Sequence, residues 1–278
     1  MDTTTHLAPP VPEALRAYVL GIVGYDLEMP GPGVHLGLPS TSVTFVLPID
    51  EPLDIGWREV PGSRGRRWST VSGLHTGPAE IHYGDRQAGM QLALSPLGAR
   101  ALLGLPAAAV AGEMLTLDEL PSALADLPER LAGCRDWPTR FALVRQRLAV
   151  VLARHGTPAV RDEVGWALAA LTRGATVQRV ADDVGLSRRH LGTLVRAECG
   201  VSPKEFHRIA RFDASKTRLV AAARAGRPSL ASLATASGYA DQAHLTREWR
   251  ALAGCTPTRW LREEFPFVQD LAGSEGEP

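Results

Sequence analysis

Arginine, threonine, glutamine and histidine recur at helical spacing in two stretches of the second half of the chain. Around Leu191 stand Arg188, Arg189, His190, Thr193 and Arg196; around Leu245 stand Asp241, Gln242, His244, Thr246, Arg247 and Arg250. A guanidinium can donate two parallel hydrogen bonds to the major-groove edge of guanine, and a carboxamide can pair with adenine in the same way. One arginine-rich helix face is ordinarily just solvated surface. Two such faces on a repeated scaffold, in the basic part of the chain, point instead to a nucleic-acid surface.

The scaffold that must position them is an internal repeat. Ala181, Gly185, Leu191, Gly200 and Pro203 recur as Ala234, Gly238, Leu245, Gly254 and Pro257. The offset is 53 residues for the first two pairs and 54 for the rest, so the second copy gains one residue inside its turn. Each copy reads as helix, tight turn, helix. In the first, Val177, Val180, Ala181 and Val184 form one apolar face, Gly185 supplies a turn where positive φ costs little, and Ser187 caps the next helix. In the second, Ser229 caps a helix bearing Leu230, Leu233 and Ala234. Gly238 then turns the chain, and Leu245, Trp249 and Leu252 face inward. This is a helix-turn-helix pattern, whose second helix can enter a DNA major groove. Between the copies, Ser202-Pro203 opens a helix expected to run to about Ala223, roughly 20 residues and about 30 Å long. Such a rod could set two recognition helices about one DNA turn apart, ~34 Å.

The run Gly238-Tyr239-Ala240-Asp241-Gln242-Ala243-His244-Leu245-Thr246-Arg247-Glu248-Trp249-Arg250, followed by Gly254-Cys255-Thr256-Pro257, resembles the signature of AraC/XylS-type transcription regulators. Leu186-Ser187-Arg188-Arg189-His190-Leu191, with Gly200-Val201-Ser202-Pro203-Lys204-Glu205-Phe206, looks like the other half of that domain. The resemblance covers about residues 160–265. It implies base contacts from Arg188, Arg189, Thr193 and Arg196, then from Asp241, Gln242, Thr246 and Arg247, with Arg250 on the same face. It also implies double-stranded DNA and RNA polymerase as partners. The family usually carries a polar residue and an Arg after the first-helix Leu, where this chain has Gly192 and Thr193. The first unit is therefore expected either to lean on Arg188 and Arg189 or to read bases more weakly than the second.

The first third is punctuated by Pro and Gly and holds short strand-like runs at residues 42–47, 67–71 and 90–94, the pattern of an antiparallel barrel or sandwich. From about Pro96 the character turns helical. Phe141, Val144, Leu148, Val151 and Leu152 form the stripe of an amphipathic helix over 138–155, which is expected either to pack on the barrel or to form a dimer seam. This half resembles, less closely, the sensory or dimerisation domains fused to such regulators, through Leu94-Ser95-Pro96-Leu97-Gly98-Ala99-Arg100-Ala101-Leu102-Leu103-Gly104 and residues 115–120. Trp57, Trp68, His75 and Tyr83 are candidate walls of a small-molecule pocket. His35, His75 and His82, with Glu80 and Asp85, match no closed metal motif, and neither metal nor cofactor is expected. Arg64, Arg66 and Arg67 form a short basic run that reads as solvated.

Composition bounds the rest. The chain has 278 residues, 45% hydrophobic and 22% charged, enough for two globular domains. Its zero net charge divides: residues 1–160 hold 13 basic and 16 acidic side chains, and residues 161–268 hold 17 and 11. The basic part is the part that carries the repeat. No apolar run is long enough to span a membrane, and the first twenty residues do not read as a secretory signal. Cys134, Cys199 and Cys255 cannot all pair, which fits a reduced, cytoplasmic setting. The expected fold class is α+β, with a mainly β, barrel- or sandwich-like first domain carrying helices (1–155). An all-α domain with two helix-turn-helix units follows (156–268, beginning near Gly156-Thr157-Pro158), then an acidic tail (269–278). The expected function is a non-enzymatic, sequence-specific transcription regulator, activator or repressor, controlled by a small molecule or other signal at the first domain, with a homodimer as one open arrangement. The alternatives are a barrel enzyme fused to a DNA-binding domain and a nonspecific architectural DNA binder.

Overall fold

In a computed structural model, the structure describes residues 5–155, 162–226 and 229–264. The expected domain boundary at residues 156–158 and the acidic tail lie outside the described residues. The strands are β1 (Thr5–Leu7), β2 (Val19–Glu28), β3 (Gly33–Gly37), β4 (Val43–Ile49), β5 (Leu53–Trp57), β6 (Gly65–Arg67), β7 (Thr70–Ser72), β8 (Ala79–Tyr83), β9 (Arg86–Leu94) and β10 (Met114–Leu115). They pair antiparallel as two sheets, one ordered β1-β2-β9-β4-β7-β10 and the other β3-β8-β5-β6. The two sheets face each other: Val46 of the first packs against Leu53, Ile55 and Ala79 of the second.

The run at residues 67–71 is not one strand. Trp68 and Ser69 interrupt it, because Ser69 is buried and its hydroxyl accepts the N–H of Leu117 at 2.9 Å instead of continuing a ladder. The run at 42–47 forms β4 and that at 90–94 the end of β9.

The helices are α1 (Pro96–Gly98), which continues into a wider π turn over Ala99–Leu103, then α2 (Leu127–Ala132), α3 (Trp137–His155), α4 (Asp162–Thr172), α5 (Val177–Asp183), α6 (Arg188–Cys199), α7 (Pro203–Arg224), α8 (Leu230–Ala236), α9 (Gln242–Ala253) and α10 (Pro257–Glu264). Phe141, Val144, Leu148 and Val151 of α3 are buried in the same core as Phe45, Leu47, Met90 and Leu92 of the large sheet. The stripe is therefore internal and not a dimer seam. The arginines on its other faces hold neighbouring segments: Arg147 reaches Asp126 at 2.6 Å and the Ala123 carbonyl, and Arg145 reaches the Pro10 carbonyl.

This main core continues past the expected boundary into the first helix-turn-helix unit, through Leu191, Val195 and Phe206. The second unit has its own core of Phe212, Leu219, Leu245, Trp249 and Trp260, with Leu36 and Leu38 of the first half packed on it. No helix among the described residues is long and apolar enough to cross a membrane. Cys199 and Cys255 are buried and Cys134 half-buried, all three as free thiols.

Candidate nucleic-acid interface

The two repeats fold as copies. α5 and α8 have seven residues each; α6 and α9 have twelve each. Gly185 and Gly238 take φ of 69° and 71°, and Gly200 and Gly254 close the second helices at 76° and 68°. These left-handed values are strained for any residue with a Cβ. Ala181 and Ala234, each 1% exposed, sit where the paired helices approach. The hydroxyl of Ser187 accepts the His190 N–H, and the carboxylate of Asp241 accepts the His244 N–H at 2.6 Å. The additional residue of the second copy lies in the turn, between Gly238 and Asp241.

Superposing the helix starts pairs Arg188 with Gln242, Thr193 with Arg247, and Arg196 with Arg250. Arg188, Arg189, Arg196, Gln242, Arg247 and Arg250 are all exposed. Among the described residues, none of these five arginines forms an ion pair. By contrast, Arg179, Arg208, Arg211, Arg259 and Arg262 are held by carboxylates. Free guanidiniums on both helices leave their donors available to a polyanion. Three of the expected readers are partly engaged. Asp241 is the N-cap of α9, and the hydroxyls of Thr193 and Thr246 donate to the carbonyls of Arg189 and Gln242 one turn back.

α7 fixes the two units relative to each other. The Ser202 hydroxyl accepts from the Glu205 N–H while the Glu205 carboxylate accepts from the Ser202 N–H, a reciprocal cap with Pro203 in the first turn. At 22 residues α7 is about 33 Å long. Arg208 of α7 donates to Glu248 of α9 at 2.8 Å, and Arg211 lies 4.5 Å from the Tyr239 ring centroid. The buried Trp249 indole donates to Ser215 of α7, whose hydroxyl donates to the Phe212 carbonyl. The Arg208–Glu248 clamp was not evident from sequence. Its signal is the pair of arginines three apart on α7, which can be matched to Glu248 only once the fold is known.

The four pocket candidates of the first half do not converge. His75 lines a cavity of about 370 Å³ between the sheets, with the Trp57 ring tilted against it at 4.4 Å between centroids. Tyr83 lines a different cavity of about 540 Å³, and Trp68 is exposed. His35 shares the cavity of His75, whereas His82 lies with Tyr83; among the described residues no cluster suited to a metal forms. Burial lowers the pKa of His35 and of His75 to about 4, so both rings are neutral at ordinary pH. The basic run is mostly engaged. Arg64, though exposed, pairs with Asp54 at 2.7 Å, Arg67 donates to three backbone carbonyls, and Arg66 is exposed.

Asp213, Lys216, Thr217 and Val220 of α7 and Trp260 and Glu264 of α10 close the 370 Å³ cavity from the second half. Two further contacts join the halves. Arg100 binds Glu198 of α6, and the Leu36 N–H donates to Glu264 at 3.1 Å.

The family model of a helix-turn-helix domain matches residues 180–263. No curated protein sequence matches the chain. Among solved structures, ToxT of Vibrio cholerae with a bound unsaturated fatty acid superposes with a TM-score of 0.50 at 11% identity. That match covers 94% of this chain and 98% of ToxT. A second ToxT structure gives 0.51 at 10% identity, covering 87% and 97%. A third, bound to (E)-4-(8-methylnaphthalen-1-yl)but-3-enoic acid, gives 0.50 at 11% identity, again covering 87% and 97%. Residues 180–263 thus match a helix-turn-helix domain, preceded by a strand-rich half in the two-domain fold seen in ToxT.

Proposed function

We propose that this chain is a cytoplasmic, non-enzymatic transcription regulator that reads two successive major grooves with α6 and α9. The observation that carries the reading is the pair of copied helices with exposed, unpaired arginines, joined by a capped rod about as long as one DNA turn. Residues 156–268 are the reader, residues 1–155 the sensor, and 269–278 an acidic tail. In each recognition helix the first half addresses bases: Arg188, Arg189 and Thr193 in one, Gln242, Thr246 and Arg247 in the other. Arg196 and Arg250, in the last turns, suit phosphates. Asp241 acts by capping α9. Because one chain supplies both units, two half-sites need no second subunit; RNA polymerase is the expected partner at the promoter.

The effector site in this reading is the 370 Å³ cavity. Its α7 wall connects occupancy to the rod that spaces the two units, and ToxT of the same fold holds a fatty acid. The test is selection of binding sites from random duplexes by the full chain, followed by footprinting. We expect an enriched sequence with two protected patches about 10 bp apart on one face of the DNA. Equal affinity for selected and random duplexes would support the architectural-binder reading instead.

A further inference from the structure

The apolar face of the large sheet does not line the space between the sheets. Strand register puts Val43, Phe45, Leu47, Val71, Leu92 and Leu94 on one face, buried against the helices. The opposite face turns toward the second sheet. There Thr44 stands between Ala93 and Ser72, and Val46 between Gln91 and Thr70. With Gln87 farther along β9, the cavity therefore has a wall of hydroxyls and carboxamides. Facing it, the second sheet contributes Leu53, Ile55, Ala79 and Ile81. The second-sheet side is mainly apolar, and the first-sheet side sets neutral hydrogen-bonding groups around Val46 and Ala93.

That wall is unsatisfied. The Thr70 hydroxyl and the Gln87 carboxamide oxygen are buried and have no hydrogen-bond partner among the described residues. Thr70 itself is 1% exposed. Leaving such groups without partners is unfavourable, and an apolar side chain would fill either position without that cost. His75 adds an acceptor. Its Nδ1 meets the Gly77 carbonyl, which can only accept, so the proton sits on Nδ1 and Nε2 keeps its lone pair.

Charge argues against an anion. Lys216 is the one lysine or arginine lining the cavity among the described residues, and Asp213 already holds it at 2.9 Å. Glu264 lines the same end. A carboxylate would meet the Asp213 carboxylate, a lysine already paired with it and two uncharged imidazoles.

We infer that the cavity takes an uncharged, hydrogen-bonding small molecule, a polyol or amide with one apolar side, and not a carboxylic acid. This rests on the effector-site reading above and specifies its ligand. The volume suits a molecule of monosaccharide to nucleoside size.

The test uses the full chain and thermal unfolding with two sets of probes: neutral pentoses, hexoses, myo-inositol and adenosine, against decanoate, oleate and benzoate. Thr70→Val and Gln87→Leu accompany the wild type. Without ligand, both variants should unfold at the wild-type temperature or a few degrees higher. At least one neutral probe should raise the Tm of the wild type by several degrees and raise neither variant's. Stabilisation by carboxylates alone would overturn the ligand class while leaving the sensor reading intact. Stabilisation by no probe, or equal shifts in all three proteins, would overturn both. DNA selection reads out separately and is unaffected by either result.

Discussion

Arg100 and Glu198 join the two halves of the chain through a two-pronged ion pair. Nη2 meets Oε2 at 2.8 Å and Nε meets Oε1 at 3.2 Å, with the Glu198 side chain only 7% exposed. Glu198 is in the last turn of α6, so the strand-rich half grips this helix directly. Beside it, a Cβ on Gly200 would lie 2.3 Å from the Ala111 Cβ. The hydrogen bonds to Glu198, aided by its charge and opposed by burial, raise the Arg100 pKa further above its ordinary value, and the guanidinium stays charged at every working pH.

Arg100→Ala strands a buried carboxylate. The loss should be about 2–3 kcal/mol, below the full range for buried pairs because Arg100 is one-third exposed. Urea unfolding of the full chain measures it. Glu198→Gln with Arg100→Gln should recover part of the loss; no recovery would mean that the pair itself is not what stabilises the contact.

Leu148→Asp places a charge in a side chain that is 0% exposed within the main core. The cost should be several kcal/mol, and the first half should lose its cooperative unfolding transition. A folded variant of altered oligomeric state by light scattering would restore the seam reading of α3.

Gly192→Ala should stabilise. Gly192 is mid-helix in α6, and a Cβ there would meet only the Arg196 guanidinium at 3.9 Å. Replacing glycine in a helix interior is worth about 0.5–1 kcal/mol. Denaturant midpoints should rise while operator affinity is retained. A drop in stability would show that α6 is not a regular helix at this point.

Arg247→Ala should cost about 1–3 kcal/mol at the selected site and relax preference at one or two base pairs. Arg224→Ala, off both recognition helices, should leave preference unchanged. Binding titrations against singly substituted sites decide this. Uniform weakening on every sequence would reassign Arg247 to phosphate.

Glu264 predicts a pH signature. Burial raises its pKa from 4.5 to about 7, with the backbone N–H of Leu36 opposing. The neighbouring charges are Glu263, which adds to the rise, and Arg58, which opposes it, and Tyr83 faces the same carboxyl. A raised carboxyl pKa means that the folded state keeps the proton. This contribution is complete below about pH 4.5 and is lost as pH rises through about 7. His35 and His75, lowered to about 4, act oppositely, losing stability as pH falls from 6.5 toward 4. Glu264→Gln should therefore match the wild type near pH ~4 and exceed it by up to roughly 3 kcal/mol near pH ~8. A constant difference across that range would remove Glu264 as the cause.

What sequence revealed was local. Ser187, Ser202 and Ser229 could be named as caps because a cap needs only its own helix, and all three accept the expected N–H. Gly185 and Gly238 were legible for the same reason. The runs at residues 42–47 and 90–94 revealed strands but not which of their faces the helices cover, so the polar interior stayed hidden. Arg100 and Glu198 stand 98 residues apart, and no pattern in either neighbourhood links them. Trp57, Trp68, His75 and Tyr83 share a chemistry without sharing a place: Trp57 and Tyr83 are set by strand register, Trp68 and His75 by the segments between strands.

α7 also sets a phase. It is unbroken from Pro203 to Arg224, and Arg208, Arg211 and Ser215 bind the second unit to it through side chains rather than through a hinge. Each residue of an α-helix advances the chain by about 100° as well as by about 1.5 Å. One residue inserted in α7 would therefore swing α9 by more than a quarter turn around the rod while barely lengthening it. Reach along the duplex and azimuth around it are locked together, so separation can drift in such a protein only in steps of whole helical turns.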